Sequence, residues 1–218
     1  EISACLVGSE MCIRDRAGRG RQAEARRNDR SVLDAARLVF AAAGPEAPMS
    51  AVAAAAGVGM GSLYRRFASK DEMLQYLCEA SLRQQAAAAE AAAADDRPWA
   101  ALAGFIRECV SLRAGVFSPV AGRIPVTPAM LDTARHVHEL LTVLVARAQA
   151  AAMLRADVGP ADVHRLIELF SRRPADDEEA HQRLLAVALD GLRGPGAGPL
   201  PGRPRDWSAL ARRWLPDG

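Results

Sequence analysis

Residues 53–70, AAAAGVGMGSLYRRFASK, read as the end of one helix, a glycine turn and a second short helix. Ala53 and Ala56 are small enough for another helix to cross closely. Gly57 is free to take the left-handed conformation that ends the first helix, and Val58 fills the angle between the two. The second helix is expected to start at Met60. Along it Leu63 and Phe67, four residues apart, face inward, while Met60, Gly61, Tyr64 and Arg65 share the opposite side. A hinge of this kind with a polar and aromatic outer face is the pattern of a helix-turn-helix that reads DNA.

The flanks extend the pattern. Ser69-Lys70-Asp71-Glu72 fits a capping box, in which the Ser69 hydroxyl accepts from the Glu72 amide and the Glu72 carboxylate reaches back to the Ser69 amide. A helix is therefore expected from Lys70. Its free amides and positive dipole end, beside the only lysine in the chain, suit a backbone phosphate. Upstream, Val32, Ala36, Val39, Phe40 and Ala43 recur at helical spacing, and Gly44-Pro45 stops that helix.

The order of these strings, VLDAARLVFAAAG, AVAAAAGVGMGSLYRRF and SKDEML, closely resembles the amino-terminal DNA-binding domain of TetR-family transcriptional regulators, over about 29–77. The resemblance implies an all-α fold: an amino-terminal three-helix helix-turn-helix domain followed by a helical bundle for ligand binding and dimerisation. It implies that Tyr64 and Lys70 hold phosphates and that Met60, Gly61, Ser62 and Arg65 lie in or beside the major groove. Arg66 stands where many relatives carry histidine, and it suits either a phosphate or a fork onto guanine. Two departures stand out. Gly59 occupies a cap position often filled by serine, and Pro48 sits where a hydroxyl residue often begins the second helix. Pro48 suits a first helical turn but offers no hydroxyl, so Ser50 is the substitute candidate.

The implied function is a ligand-responsive repressor that binds a palindromic operator as a homodimer, with a small-molecule effector and no cofactor. The competing reading is an all-helical ligand carrier or protein-interaction module that does not use its helix-turn-helix on DNA. Salt-dependent DNA binding separates the two.

The chain has 218 residues, half of them hydrophobic and 25% charged, enough for one small and one larger domain. The expected divisions are a leader over 1–25, the helix-turn-helix over 26–75, the helical ligand-binding and dimerisation domain over 76–193, and a Gly/Pro-rich tail with a short terminal helix over 194–218. The net charge of +2 is unremarkable. Arg26, Arg27 and Arg30, just before or on the first helix, stand where the resemblance implies contact with the DNA backbone, and a solvated basic leader explains them equally. Residues 1–16, EISACLVGSEMCIRDR, do not connect with the helical pattern that follows and read as foreign to the domain. No stretch approaches the roughly 18 apolar residues of a membrane span, so a cytoplasmic protein is expected. Cys78 and Cys109 lack metal-ligand spacing and read as free buried thiols.

From Asp71 onward the pattern is helical. A long helix through Leu74, Leu77, Cys78 and Leu82 runs to Ala94, and Asp95-Asp96-Arg97-Pro98 breaks it. The next carries an apolar stripe of Trp99, Leu102, Phe105, Ile106, Cys109, Leu112 and Val116. After a loop holding Pro119, Gly122 and Pro125, Thr127-Pro128 caps a helix with Leu131, Ala134, Val137, His138, Leu141, Val145 and Ala148 inward, its tail reaching Asp157. Two last helices, about 160–172 and 176–193, carry Val163, Ile167, Phe170, Leu184, Leu185, Ala188, Leu189 and Leu192; their faces suit a dimer interface or the protomer core. Trp207, Leu210, Ala211 and Trp214 suggest a short docking helix in the tail.

Candidate ligand-binding residues are Trp99, Phe105, Cys109, Leu112, Phe117, His138 and Leu141, chosen because they are large or polar on inner stripes, though core packing explains each as well. No nucleophile elbow, zinc-protease helix or phosphate-cradling loop occurs, and His136 and His138 lie about 200° apart on a helix, which does not chelate one metal. An enzyme is not expected.

Overall fold

The computed structural model describes residues 31–120, 124–172, 178–196 and 198–202. Among them the fold is all-α. Helix α1 covers 31–43, α2 Met49–Ala56, α3 Met60–Arg66, α4 Lys70–Ala93, α5 Pro98–Ser111, α6 Pro128–Ala150, α7 Pro160–Ser171 and α8 Glu178–Gly191, with a 3-10 helix at Ala114–Val120 between α5 and α6. The expectations placed on 1–30, Gly122 and the terminal Trp207–Trp214 segment lie outside the described residues.

Two apolar clusters organise the molecule. The first gathers Val32, Ala36 and Phe40 of α1, Met49, Val52 and Ala53 of α2, Leu63 of α3, Phe67, and Met73, Leu74, Leu77 and Cys78 of α4. The second holds Ala89 and Ala92 of α4, Leu102, Phe105, Ile106 and Cys109 of α5, Leu141, Leu144, Val145 and Ala148 of α6, Val163 and Ile167 of α7, and Leu185 and Leu189 of α8. Helix α4 runs through both. Burial pushes the Cys78 thiol up to about 12 and raises that of Cys109 as well, so both are inert packing groups.

At the far end of α4, Arg147 of α6 donates to the carbonyls of Ala93, at 2.9 Å, and Asp95, at 2.6 Å, satisfying the helix terminus. Asp95 accepts from the Arg97 amide and pairs with its guanidinium, which turns the chain into α5. Thr127 caps α6 through the Met130 amide at 3.2 Å. The end of α8 is pinned to the α6–α7 connection by an isolated antiparallel bridge between Leu154 and Arg193.

Several boundaries differ from the sequence reading. Val116 is not on α5, because that helix stops at Ser111 and Arg113 turns left-handed at φ 52°; Val116 lies on the 3-10 helix instead. The expected loop at Pro119 therefore begins as 3-10 backbone. Helix α6 ends at Ala150, well before Asp157, because Ala152 turns left-handed at φ 54°. Ala43 is exposed, and Ala35 takes the buried place beside Ala36. Leu184 is 59% exposed, whereas Leu185 and Leu189 carry the inner face of α8.

Candidate nucleic-acid interface

The hinge is built by a hydrogen-bond pattern that glycine permits. Gly57 ends α2 at φ 66° and ψ 28°, its amide donating to Ala54, while the Val58 amide donates to Ala53 at 3.0 Å. These two bonds form a Schellman motif, which satisfies the last carbonyls of α2 and turns the chain sharply. Val58 is half-buried against the first cluster, Ala53 lies inside it and Ala56 at its edge. Pro48 sits one residue before α2, at the extended N-cap, not inside its first turn; it contributes no side-chain cap. Gly59 likewise precedes α3 without one.

Helix α3 divides into two faces. Leu63 and Phe67 are 1% and 4% exposed, anchoring it in the first cluster. The rest of the helix is open to solvent: Met60 is 37% and Tyr64 48% exposed, and Gly61, Ser62 and Arg65 are exposed too. Ser50, near the start of α2, is also exposed, and Lys70 is half-buried at the start of α4.

The two adjacent arginines differ. Arg66 is half-buried with its guanidinium 5.3 Å from the centre of the Phe67 ring, a cation–π contact that holds it beside the helix. The other edge of that arrangement is Tyr76 of α4, whose ring meets Phe67 edge-on at 5.8 Å; sequence reading did not single out Tyr76. The Arg65 side chain makes no hydrogen bond or ion pair among the described residues, and its Nη1 lies 3.8 Å from where a Cβ at Gly61 would stand. The missing side chain at Gly61 leaves that fork room along the helix.

At the start of α4, the Ser69 hydroxyl accepts from the Glu72 amide at 3.1 Å. The reciprocal bond differs from expectation. The Glu72 carboxylate accepts from the Ala68 amide, at 2.7 Å, one residue earlier than the Ser69 amide. Its charge adjoins the helix start, so any attraction for an anion there depends on the Lys70 ammonium.

The seven candidate ligand residues are not brought together. Phe105 and Leu112 line a cleft of about 550 Å³ between α4 and α5, with Gln84, Ala88, Ala91, Gly104 and Glu108. Cys109 and Leu141 are wholly enclosed in the second cluster, and Phe117 belongs to the first. Trp99 is half-buried under the Arg193 guanidinium. His138 of α6 stacks on His164 of α7, with ring centres 5.8 Å apart. Burial, with His138 as the smaller cause, lowers the His164 imidazole to about 4 and keeps it neutral, and its Nε2 has no hydrogen-bond partner. Sequence reading missed the alanine walls of the cleft, because in an alanine run no spacing marks an inner face.

A reading helix presented by a glycine hinge, mounted on a helical body with its own core, defines a helix-turn-helix regulator. The family of bacterial regulatory proteins of the TetR type matches residues 32–77, and the carboxy-terminal domain of SbtR-like transcriptional regulators matches 97–194. A TetR transcription regulatory protein from Mycobacterium vanbaalenii is 31% identical, over 79% of this chain and 98% of that one, with a TM-score of 0.51. The regulator PfmR from Thermus thermophilus is 22% identical over 77% and 98%, with a TM-score of 0.56. LfrR from Mycobacterium smegmatis, solved in complex with proflavine, is 24% identical over 78% and 96%, with a TM-score of 0.52. No curated protein matches the chain. The chain belongs to the TetR family of transcriptional regulators, whose members bind DNA and respond to ligands. Among the described residues no helix is long and apolar enough to cross a membrane.

Proposed function

We propose that the protein is a repressor that occupies a palindromic operator as a homodimer and leaves it when a small-molecule effector binds the α4–α5 cleft. The observation that carries this reading is the outward face of α3, where Tyr64 and Arg65 stand exposed while Leu63 and Phe67 lock the helix from behind. In this reading Arg65 reads a base edge, with Met60, Gly61 and Ser62 beside the groove. Tyr64, Lys70, Ser50 and Arg66 hold the phosphate backbone.

Geometry favours pairing in this reading. One half-site gives little specificity, and a two-fold dimer sets two reading helices about 34 Å apart on one face of the duplex. Leu169 on α7 and Leu184 and Val187 on α8 are 69%, 59% and 63% exposed, and a second copy of the same face would cover them. The cleft favours a largely apolar effector, since alanine, glycine and phenylalanine make most of its wall, with Gln84, Asp95 and Glu108 as polar contacts. Release requires the effector to bind one head spacing better than the other.

Titrating the full chain with duplex DNA at two salt concentrations tests the reading. Affinity that falls steeply with salt, with an inverted repeat protected from nuclease, is expected. A chain that binds no duplex at low salt contradicts it and favours the ligand-carrier alternative.

A further inference from the structure

The 3-10 helix Ala114–Val120, like α4, crosses between the two apolar cores. Ala114 belongs to the second apolar cluster, whereas Val116 and Phe117, two and three residues later, belong to the first. The start of α6 makes the same crossing, since Met130 and Ala134 pack in the first cluster and Val137 and Leu141 in the second.

Around the 3-10 helix the fit is fixed by buried contacts. The Ser81 hydroxyl of α4 donates to the Ala114 carbonyl at 3.3 Å, and the Gly115 amide donates to the Ser171 hydroxyl of α7 at 3.0 Å. Both serines are buried. A Cβ at Gly115 would stand 2.4 Å from the Glu168 Cα and 2.9 Å from both the Glu168 nitrogen and the Ile167 carbonyl oxygen. Those atoms are backbone, so α7 itself would have to move. Glu168 is held in turn by Arg165 at 2.7 Å and Arg172 at 3.2 Å. The next residue, Leu169, points the other way and is 69% exposed. One turn of α7 thus has Gly115 on its inner side and, on its outer side, the face proposed to meet a second copy.

We infer that the 3-10 helix, seated on α7 through Gly115 and on α4 through Ser81, positions the reading head on the bundle and so sets the spacing of the two heads in the dimer. Gly115, Ser171 and Ser81 are positioning residues. This inference rests on the DNA-binding reading for its consequence but not for its geometry.

Gly115→Ala tests it in two readouts. The first needs neither DNA nor a dimer: spin labels at Leu38→Cys on α1 and Val143→Cys on α6, both exposed positions, report the distance between head and bundle within one chain. Gly115→Ala shifts or broadens that distance, and Ser171→Ala, a gentler change, does so in the same direction. An unchanged distribution in both variants overturns the inference. The second compares a half-site duplex with an inverted repeat. A loss of about ten-fold on the repeat with half-site affinity kept is expected, about 1.4 kcal/mol. An equal loss on both duplexes, as general destabilisation gives, overturns it. Should the unaltered chain bind neither duplex, the DNA-binding reading fails, and the label distances alone decide the inference.

Discussion

The head ends α2 and the body ends α6 with the same pair of hydrogen bonds but not with the same residue. At α2 the amides of Gly57 and Val58 donate to Ala54 and Ala53; at α6 those of Ala152 and Met153 donate to Gln149 and Ala148. The left-handed position is glycine in the first, at φ 66°, and alanine in the second, at φ 54°. The first is unstrained and visible in the sequence. The second costs about 1–2 kcal/mol and leaves no mark a reader of the sequence would notice.

That contrast explains what was legible. The ends of α1 and α2 are written in glycine, Gly44 at φ 76° and Gly57 at φ 66°, so the helices leading to the reading face follow from spacing alone. In the body, Arg113 and Ala152 are the positive-φ residues that end α5 and α6, and helical spacing alone runs past both, placing Val116 on a helix that stops at Ser111. The alanine run of α4 hides more. Ala89 is core, Ala87 and Ala91 face the cleft and Ala92 lies at the boundary of both, yet identical side chains announce none of this. The exposed α3 residues form one face because turn chemistry aims them; the ligand candidates were chosen by size, and size selects core residues first.

Breaking the head should have the largest effect. Leu63→Ala removes a side chain that is 1% exposed and should cost about 2–5 kcal/mol, lowering the thermal midpoint and abolishing DNA binding. A melt indistinguishable from the unaltered chain would mean that α3 is not anchored as described.

The body has its own signature in pH. His164, at about 4 when folded against 6.5 when free, refuses a proton that the unfolded chain takes up. Its contribution is therefore full above pH 6.5 and is lost as pH falls toward 4, on the order of 3 kcal/mol. Denaturant titrations across that window should show the slope, and His164→Leu should reduce it, leaving the smaller part that the His138 imidazole, also lowered by burial, supplies.

The cap comparison is sharpened by exchanging the residues. Gly57→Ala should destabilise by about 1 kcal/mol, whereas Ala152→Gly should be neutral or stabilising. The same sign for both in equilibrium unfolding would break the contrast drawn between the two helix ends. Smallest in energy, Lys70→Ala should lower the slope of log affinity against log salt by about 1, with sequence preference unchanged.

In the proposed reading α3 faces outward to read bases, with Arg65 as the reader and Arg66 held on Phe67. Selection of duplexes from a random pool by the unaltered protein, Arg65→Ala and Arg66→Ala measures it most directly. Expected are an inverted repeat for the unaltered chain, loss of preference at one base pair per half-site for Arg65→Ala, worth about 1–3 kcal/mol, and the original preference for Arg66→Ala. An unchanged repeat from Arg65→Ala, or no repeat from the unaltered chain, would contradict it.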